Sequence, residues 1–304
     1  MAMPGYSYVA PLGQGARSRI VQVIELKTGR MYALKRVFRK DAHDERFIEQ
    51  AENEYAVSSR VCHQALRRSF HIRRIRKWLR IQELQILMEH VEAQTLEELR
   101  PTDLSVIINL FHQVAEGLHA LHQAGYVHAD IKPNNLLVTP DQRVKIIDFG
   151  QSCPLGFVKS RIQGTPDYIA PEQVRRLAID QRTDVYNLGA TLYWVLTGVA
   201  YPTILPSRKR QNGIDLVVSR EAKPPHELKP EIPLALSKLV MECCMDNPSG
   251  RPADMRQVQS RLLVAQHMIA RNSAPATAGL PVPGLVAGSG NYQPACGGPA
   301  DTDA

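Results

Sequence analysis

Cysteine is scarce in this sequence. Cys62, Cys153, Cys243, Cys244 and Cys296 are odd in number and form no C-x-x-C pair. Such a set implies neither a disulfide framework nor a zinc site, and it fits a reducing, cytoplasmic compartment. Long apolar runs are missing as well. No stretch approaches the roughly 18 uninterrupted apolar residues of a membrane-crossing helix. The opening "MAMPGYSYVA" lacks a basic segment followed by an apolar one, so no signal peptide is expected. No Gly follows the first Met, so N-myristoylation is not expected. The ten histidines form no H-x-x-x-H with an acidic ligand nearby, so a His-based metal site is not expected.

What remains is an ordinary globular composition. The chain has 304 residues, 44% hydrophobic and 22% charged, with a formal net charge of +7. That length can bury a large core in roughly one to three domains. The basic balance suits an anionic ligand or partner.

The first ninety residues read mostly as strands. "YSYVAPLG", "RIVQVIEL" and "MYALKRVF" are β-rich, and "KTGR" (27–30) is a turn between the last two. Residues 44–61 hold no Gly or Pro and predict a helix. Residues 69–90 predict two further strands joined by a basic turn. From about residue 96 the period becomes helical. Val106, Leu110, Val114, Leu118 and Leu121 recur at three- and four-residue steps within 103–125, which ends in Gly125. Short strands are expected at "YVH", "LLV" and "VKIIDF", and helices at 182–197, 232–245 and about 254–270. A β-rich lobe followed by an α-rich lobe predicts a cleft between them. Residues 271–304, rich in Ala, Gly and Pro, predict a flexible tail.

Several residues carry chemistry. In "LGQGARSRI" (12–20), Gly13 and Gly15 lie between two strands, where backbone can approach phosphates without Cβ interference. The same pair would also serve a plain hairpin turn, and Ser18 stands where a third glycine would complete G-x-G-x-x-G. Lys35 sits on an apolar strand. Such a lysine is usually solvated, but behind a glycine-rich hairpin its point charge could hold phosphates. The helix 44–61 offers Glu45, Glu49, Glu52 and Glu54 as partners. Glu52 and Glu54 lie about 200° apart around it, so both cannot face Lys35. In "HADIKPNNLLV" (128–138), Asp130 can accept or orient a hydroxyl proton and Asn135 can offer an oxygen to a divalent cation. Asp148, at the end of the strand in "VKIIDFG", suits Mg²⁺. Together these residue types supply what phosphoryl transfer needs.

In order along the chain, "LGQGARS", "YALK", "LMEHV", "HADIKPNN", "DFG", "GTPDYIAPE", "TDVYNLGATLYWVLTG" and "NPSGRP" resemble the protein kinase catalytic domain over about residues 6–270. The resemblance implies an α+β, bilobal protein-kinase-like fold. Residues 1–90 would form a small lobe, a five-stranded antiparallel sheet with one helix, and 91–270 a larger, mostly helical lobe. It implies ATP and Mg²⁺ as cofactors and protein substrates. Lys35 would contact the α/β-phosphates and pair with Glu54, which lies 19 residues on, the spacing of the family. Asp130 would be the base, Lys132 would steady the transferring group, and Asn135 and Asp148 would bind the metal. Leu12, Gly13 and Gly15 would cover the nucleotide, while Ile20, Ala33 and Leu137 would enclose adenine. Met88 would be the gatekeeper, with the backbone of Glu89 and Val91 bonding the base. Asp184 would brace the catalytic loop, and Glu172 and Arg251 would form a structural ion pair.

Lys132 two residues after Asp130, and "GTPDYIAPE" with Thr165 against Asp130 and Lys132, point to Ser/Thr rather than Tyr acceptors. The motif style is similar to the bacterial, eukaryotic-like Ser/Thr kinases. The retained Lys35, Asp130, Asn135 and Asp148 weigh against a nucleotide-binding pseudokinase scaffold. The intact "GTPDYIAPE" weighs against a small-molecule kinase.

Two departures from the family pattern stand out, and two further features need weighing. Many kinases carry Arg before the base, where it pairs with a phosphorylated activation loop; here it is Ala129, so activity is expected to need no such pair. Ser152 and Ser160 still offer autophosphorylation sites. Ser58 stands where the family has an apolar residue packed toward Phe149, which predicts a weaker hold on the helix. Cys153 could be a reachable thiol, although inert packing suits it better. The segment Arg67, Arg68, Arg73, Arg74, Arg76, Lys77 and Arg80 reads as a solvated face or as a dock for an acidic partner at Arg73–Arg80. With few aromatics interleaved, specific nucleic-acid recognition is not expected.

Overall fold

A computed structural model of the protein describes residues 3–15, 17–203, 205–206, 216–217 and 222–273. Its first part is built on β-patterned runs. β1 (Tyr6–Gln14), β2 (Ser18–Glu25) and β3 (Met31–Phe38) form the expected meander. β4 (Ser69–Lys77) and β5 (Arg80–Glu89) complete an antiparallel sheet in the order β1-β2-β3-β5-β4. β3 is therefore the middle strand, β5 is interior, and β1 and β4 are the edges. The single helix α1 (Glu45–Ser58) is shorter at both ends than the run 44–61 predicts. Its buried positions are Ile48, Ala51, Glu54, Val57 and Ser58, a three- and four-residue repeat that packs on the sheet. A glutamate on that stripe is out of place energetically and needs a partner.

After β5 the chain passes through β6 (Gln94–Thr95) and α2 (Leu96–Leu99) into α3 (Leu104–Gln123). Asp103 caps α3 by accepting from the Val106 N–H. Two short hairpin elements follow. β7 (Tyr126–Val127) precedes the catalytic loop, and β8 (Leu136–Val138) pairs with β9 (Val144–Ile146). β10 (Cys153–Pro154) returns to β7, and β11 (Phe157–Val158) pairs with β12 (Ala178–Ile179) beyond α4 (Pro171–Arg175). Then come α5 (Gln181–Thr197), α6 (Pro225–Leu228), α7 (Leu234–Cys243) and α8 (Met255–Ser273). α8 carries the helix three residues past the expected limit at 270; the rest of the expected tail, 274–304, lies outside the described residues.

One continuous core, including Phe111, Val114, Leu188, Leu192, Leu239 and Leu262, joins α3, α5, α7 and α8. Gly189 permits the close crossing of α5 and α7, because a Cβ there would lie 2.5 Å from that of Cys243. Cys243 and Cys244 are packed in this region, as expected.

The expected ion pair is present and fully satisfied. Arg251 meets Glu172 through two parallel bonds of 2.8 Å. Thr183 adds a hydroxyl to Glu172, and Arg251 also donates to the Met245, Asp246 and Arg182 carbonyls. Burial would push the Glu172 carboxyl up, but Arg251 and Thr183 outweigh it and hold the group below the ordinary glutamate range. Glu172→Ala should therefore lose about 3–5 kcal/mol at neutral pH, since it leaves a buried guanidinium unpaired. The depressed pKa makes this stabilisation present above the unfolded glutamate range and lost as pH falls through the folded value. Urea melts of the two proteins should thus converge in acid.

Candidate active site

The catalytic loop runs between β7 and β8, and its shape is set from below. Asp184, on the first turn of α5, accepts from the backbone N–H groups of His128 (2.8 Å) and Ala129 (2.7 Å) and from His122 Nε2 (2.8 Å). Burial would raise its pKa, but these donors, His122 foremost, keep it lowered and ionised. Ala129 answers with a left-handed backbone, φ 61°, an uncommon conformation for a residue with a Cβ. Its carbonyl accepts from Gln173 Nε2. The methyl is fully buried with Val127, Cys153 and Ile179. The expected absence of a guanidinium is therefore also an absence of room for one.

The loop brings Asp130, Lys132 and Asn135 together with Thr165. Lys132 Nζ lies 2.9 Å from Asp130 Oδ2 and 2.7 Å from Thr165 Oγ1. Asp130 Oδ1 accepts both the Thr165 hydroxyl (2.9 Å) and its N–H (3.1 Å). Asn135 Nδ2 donates to the Asp130 carbonyl at 2.8 Å and to its carboxylate at 3.3 Å. That commits the amide nitrogen and leaves Asn135 Oδ1 without a donor among the described residues.

The sheet and α1 supply the second group. Lys35 Nζ is 2.5 Å from Glu54 Oε2 and 4.0 Å from Asp148 Oδ1. Burial alone would lower the Lys35 pKa; Glu54 and Asp148 more than reverse this, so it is raised and the ammonium persists. Burial would lift Asp148, yet Lys35, His128 and Lys132 hold it down as a carboxylate. Asp148 also has φ 64°. A cavity of about 270 Å³ is lined by Lys35, Glu54, Asp130, Lys132, Asp148 and Ser18 among others. Gly15 packs against the lining residue Ser18: a Cβ there would sit 2.8 Å from Ser18 Oγ. Ser18 thus occupies the third-glycine position, and its own backbone carbonyl accepts from the Gly15 N–H.

The expected adenine residues come from neighbouring strands. Ala33 is paired with Met88 across β3 and β5, and both are buried in one cluster with Ile20 against it. Leu137 lies on β8. Leu12 and Gly13 are exposed on β1. The Glu89 N–H is taken by the Arg68 carbonyl, and its carboxylate by Lys145 at 2.7 Å. The Val91 backbone makes no hydrogen bond among the described residues, which leaves it available to a ligand.

The donor set fits a metal–triphosphate. Among the described residues no cluster of three or more His, Cys, Asp or Glu could hold a metal by itself. One carboxylate, one carboxamide oxygen with no donor, and phosphates supplied by the nucleotide are the kind of set Mg²⁺ accepts.

Several residues at this site carry no local sequence signal. Arg67 is buried and reaches Glu54 Oε1 at 3.3 Å, so the glutamate serves two cations. Asn53 donates to the carbonyls of Phe149, Gly150 and Ser152, tying α1 to the activation segment. Lys159 is buried and donates to the Gln151 carbonyl at 2.6 Å. Ser58 does not leave α1 loose: its hydroxyl bonds the Glu54 carbonyl and Ser69 Oγ, inside the protein. Of the two expected phosphorylation sites, Ser160 is exposed, but Ser152 is buried, which corrects that expectation. Burial pushes the Cys153 thiol up to about 11, so it is inert packing.

A family profile for the protein kinase domain matches residues 6–263. The chain belongs to the protein kinase family. It is 27% identical over 266 residues to a probable serine/threonine-protein kinase of Clostridium acetobutylicum, covering 84% of this chain and 39% of the relative. It is 27% identical to the serine/threonine-protein kinase pkn3 of Myxococcus xanthus (84% of this chain, 49% of the relative) and 32% identical to PknL of Mycobacterium tuberculosis (64% and 49%). This kinase chain thus spans half or less of the length of these relatives.

In this kinase, Asn53→Ala should cost about 1–3 kcal/mol of local stability, the value of buried carbonyls left without a donor. Limited proteolysis should then cut within 149–163 faster than in the wild type, with cleavage elsewhere unchanged.

Proposed function

We propose that this chain transfers the γ-phosphoryl group of ATP to Ser or Thr hydroxyls of protein substrates. One observation carries the reading: Asp130 Oδ1 accepts a threonine hydroxyl while Lys132 contacts both that oxygen and the carboxylate. Thr165 there shows how an alcohol sits against Asp130. An incoming hydroxyl would take a similar place, and Asp130 would orient it and accept its proton. Lys132 would offset negative charge on the group in transit. Lys35, held by Glu54, would contact the α- and β-phosphates, and Asn135 and Asp148 would hold Mg²⁺ through oxygen. Bound Mg²⁺ supplies neutralisation of phosphate charge. Leu12, Gly13 and Gly15 would close over the phosphates; Ile20, Ala33, Met88 and Leu137 would enclose adenine, with the Glu89 carbonyl and the Val91 N–H bonding its edge. Residues 1–90 then serve mainly the nucleotide and 91–270 the protein substrate, with no chemistry assigned to 271–304.

Lys132 at two residues past Asp130, and relatives named as serine/threonine kinases, support Ser/Thr as acceptor. No helix among the described residues is long and apolar enough to cross a membrane. The cytoplasm, reducing and supplied with ATP, is the compartment this reading requires.

Purified protein incubated with γ-labelled ATP, Mg²⁺ and a basic protein substrate should label Ser or Thr. Asp130→Asn should lower turnover by about 10²- to 10⁴-fold while nucleotide binding persists; Lys35→Met should weaken binding itself, and EDTA should stop labelling. Labelling confined to Tyr, or undiminished in Asp130→Asn, would overturn the reading. Ser152→Ala/Ser160→Ala should retain peptide phosphorylation, because the sealed Ala129 cannot receive a phosphate.

A further inference from the structure

The basic segment 67–80 separates into two groups. Arg67 is spent on Glu54, Arg74 meets Glu52 at 2.6 Å, and Arg68 lies over the Phe70 ring. The side chains of Arg73, Arg76, Lys77 and Arg80 make no ion pair or hydrogen bond among the described residues. Arg76, Lys77 and Arg80 flank the turn between β4 and β5, with Arg73 four residues before Lys77 on β4; Lys77 pairs with Arg80 and only Trp78 and Leu79 intervene. Two-residue hairpin turns favour Asn-Gly or Asp-Gly because of positive φ. Here Trp78 takes φ 57° instead. Trp78 is 92% and Leu79 96% exposed, more than any other large hydrophobic side chain among the described residues. The chain thus spends its least suitable turn residues at an apex where they bury nothing.

We propose that this hairpin tip is a contact site for a lipid bilayer surface bearing anionic headgroups. The occupant follows from the combination. Cations alone would suit an acidic protein, as the sequence first suggests, or a nucleic acid. Neither explains an apex of Trp and Leu, since an acidic protein would need a matching recess and a nucleic acid has no use for Leu79. A bilayer interface accepts both without a pocket: the indole and the isobutyl group enter the headgroup–acyl boundary, and the flanking cations meet the phosphates. β5 runs ten residues from the tip at Arg80 to Glu89 beside the proposed adenine site, about 30 Å. A kinase held by its tip therefore keeps its cleft clear of the membrane. The inference stands independently of the catalytic reading.

The full chain carrying Trp194→Phe leaves Trp78 as its one tryptophan, because the sequence has two. With vesicles of phosphatidylcholine plus phosphatidylglycerol, this protein should co-sediment and its emission should shift to the blue. Phosphatidylcholine alone should give neither. Trp78→Ser/Leu79→Ser should abolish both effects, and Arg76→Ala/Lys77→Ala should weaken binding about 30-fold, about fivefold per cation. Circular dichroism melts and peptide phosphorylation in the absence of lipid should be unchanged, since these side chains touch neither core nor cleft. Failure to co-sediment with anionic vesicles, or equal binding by the serine variant, would overturn the proposal. So would retention on polyglutamate or duplex DNA without vesicle binding, which would assign the tip to an acidic polypeptide or a nucleic acid.

Discussion

The Lys35–Glu54 pair is the constraint on which the arrangement of the cleft depends. It joins β3 to α1, which the chain links only through residues 39–44, and it does so at 2.5 Å with Glu54 only 1% exposed. Two buried charges are costly unless each is satisfied, and separating them would strand one in an apolar setting. α1 therefore cannot turn or withdraw without supplying another partner for both. Arg67 strengthens the link by giving Glu54 a second cation from the segment before β4. Asp148 completes the set from the other side, 4.0 Å from Lys35. Helix, sheet and the strand end that carries Asp148 are thus fixed by one charge network, and the cavity beside Lys35 inherits its shape from it.

A second constraint replaces a switch found in many members of the family. Where an arginine could wait for a phosphate, Ala129 is folded left-handed onto Asp184 and closed in by Val127, Cys153 and Ile179. The activation segment is held by other means. Donors on Asn53, Lys159, Arg176 and Gln173 reach the backbone carbonyls of residues 149 to 163, and β10 and β11 pair with β7 and β12. Carbonyl acceptors cannot be removed by a phosphatase. These ties use the backbone and not the Ser160 hydroxyl, and Ser152 is buried inside the fold.

Much of this was legible in advance because it is local. β-rich composition and a turn signal marked the strands, the repeat from Val106 to Leu121 marked α3, and Asp130, Lys132, Asn135 and Asp148 lie within short motifs. Glu54 depended on family spacing, although Glu52 turns away to Arg74 as helix geometry requires. The unread residues share one property: no local motif names their partners, which are often backbone carbonyls. Asn53 finds its acceptors almost a hundred residues later, and a carbonyl has no side-chain identity to recognise. The basic segment misled for a related reason. Its seven cations look alike in a row, and only the fold separates Arg67, which belongs to the cleft, from Arg76, Lys77 and Arg80 at the apex. Ser58 looked like a loss of packing because Ser69, its partner in hydrogen bonding, lies on the next strand.

Lys159 shows how these two constraints meet. Burial pushes its ammonium down, and Cys153, Asp130 and Asp184 act against that push. A buried lysine with one short bond to a carbonyl would be a poor choice for stability alone. Its charge, however, lies within electrostatic reach of the two carboxylates that shape and arm the catalytic loop. Neither carboxylate touches Lys159, and the cation in contact with Asp130 is Lys132 at 2.9 Å. In a kinase with an arginine at position 129 a further cation would come from the loop and its counter-charge from a phosphate. Here Ala129 brings no charge, and Lys159 helps to order the segment through the Gln151 carbonyl.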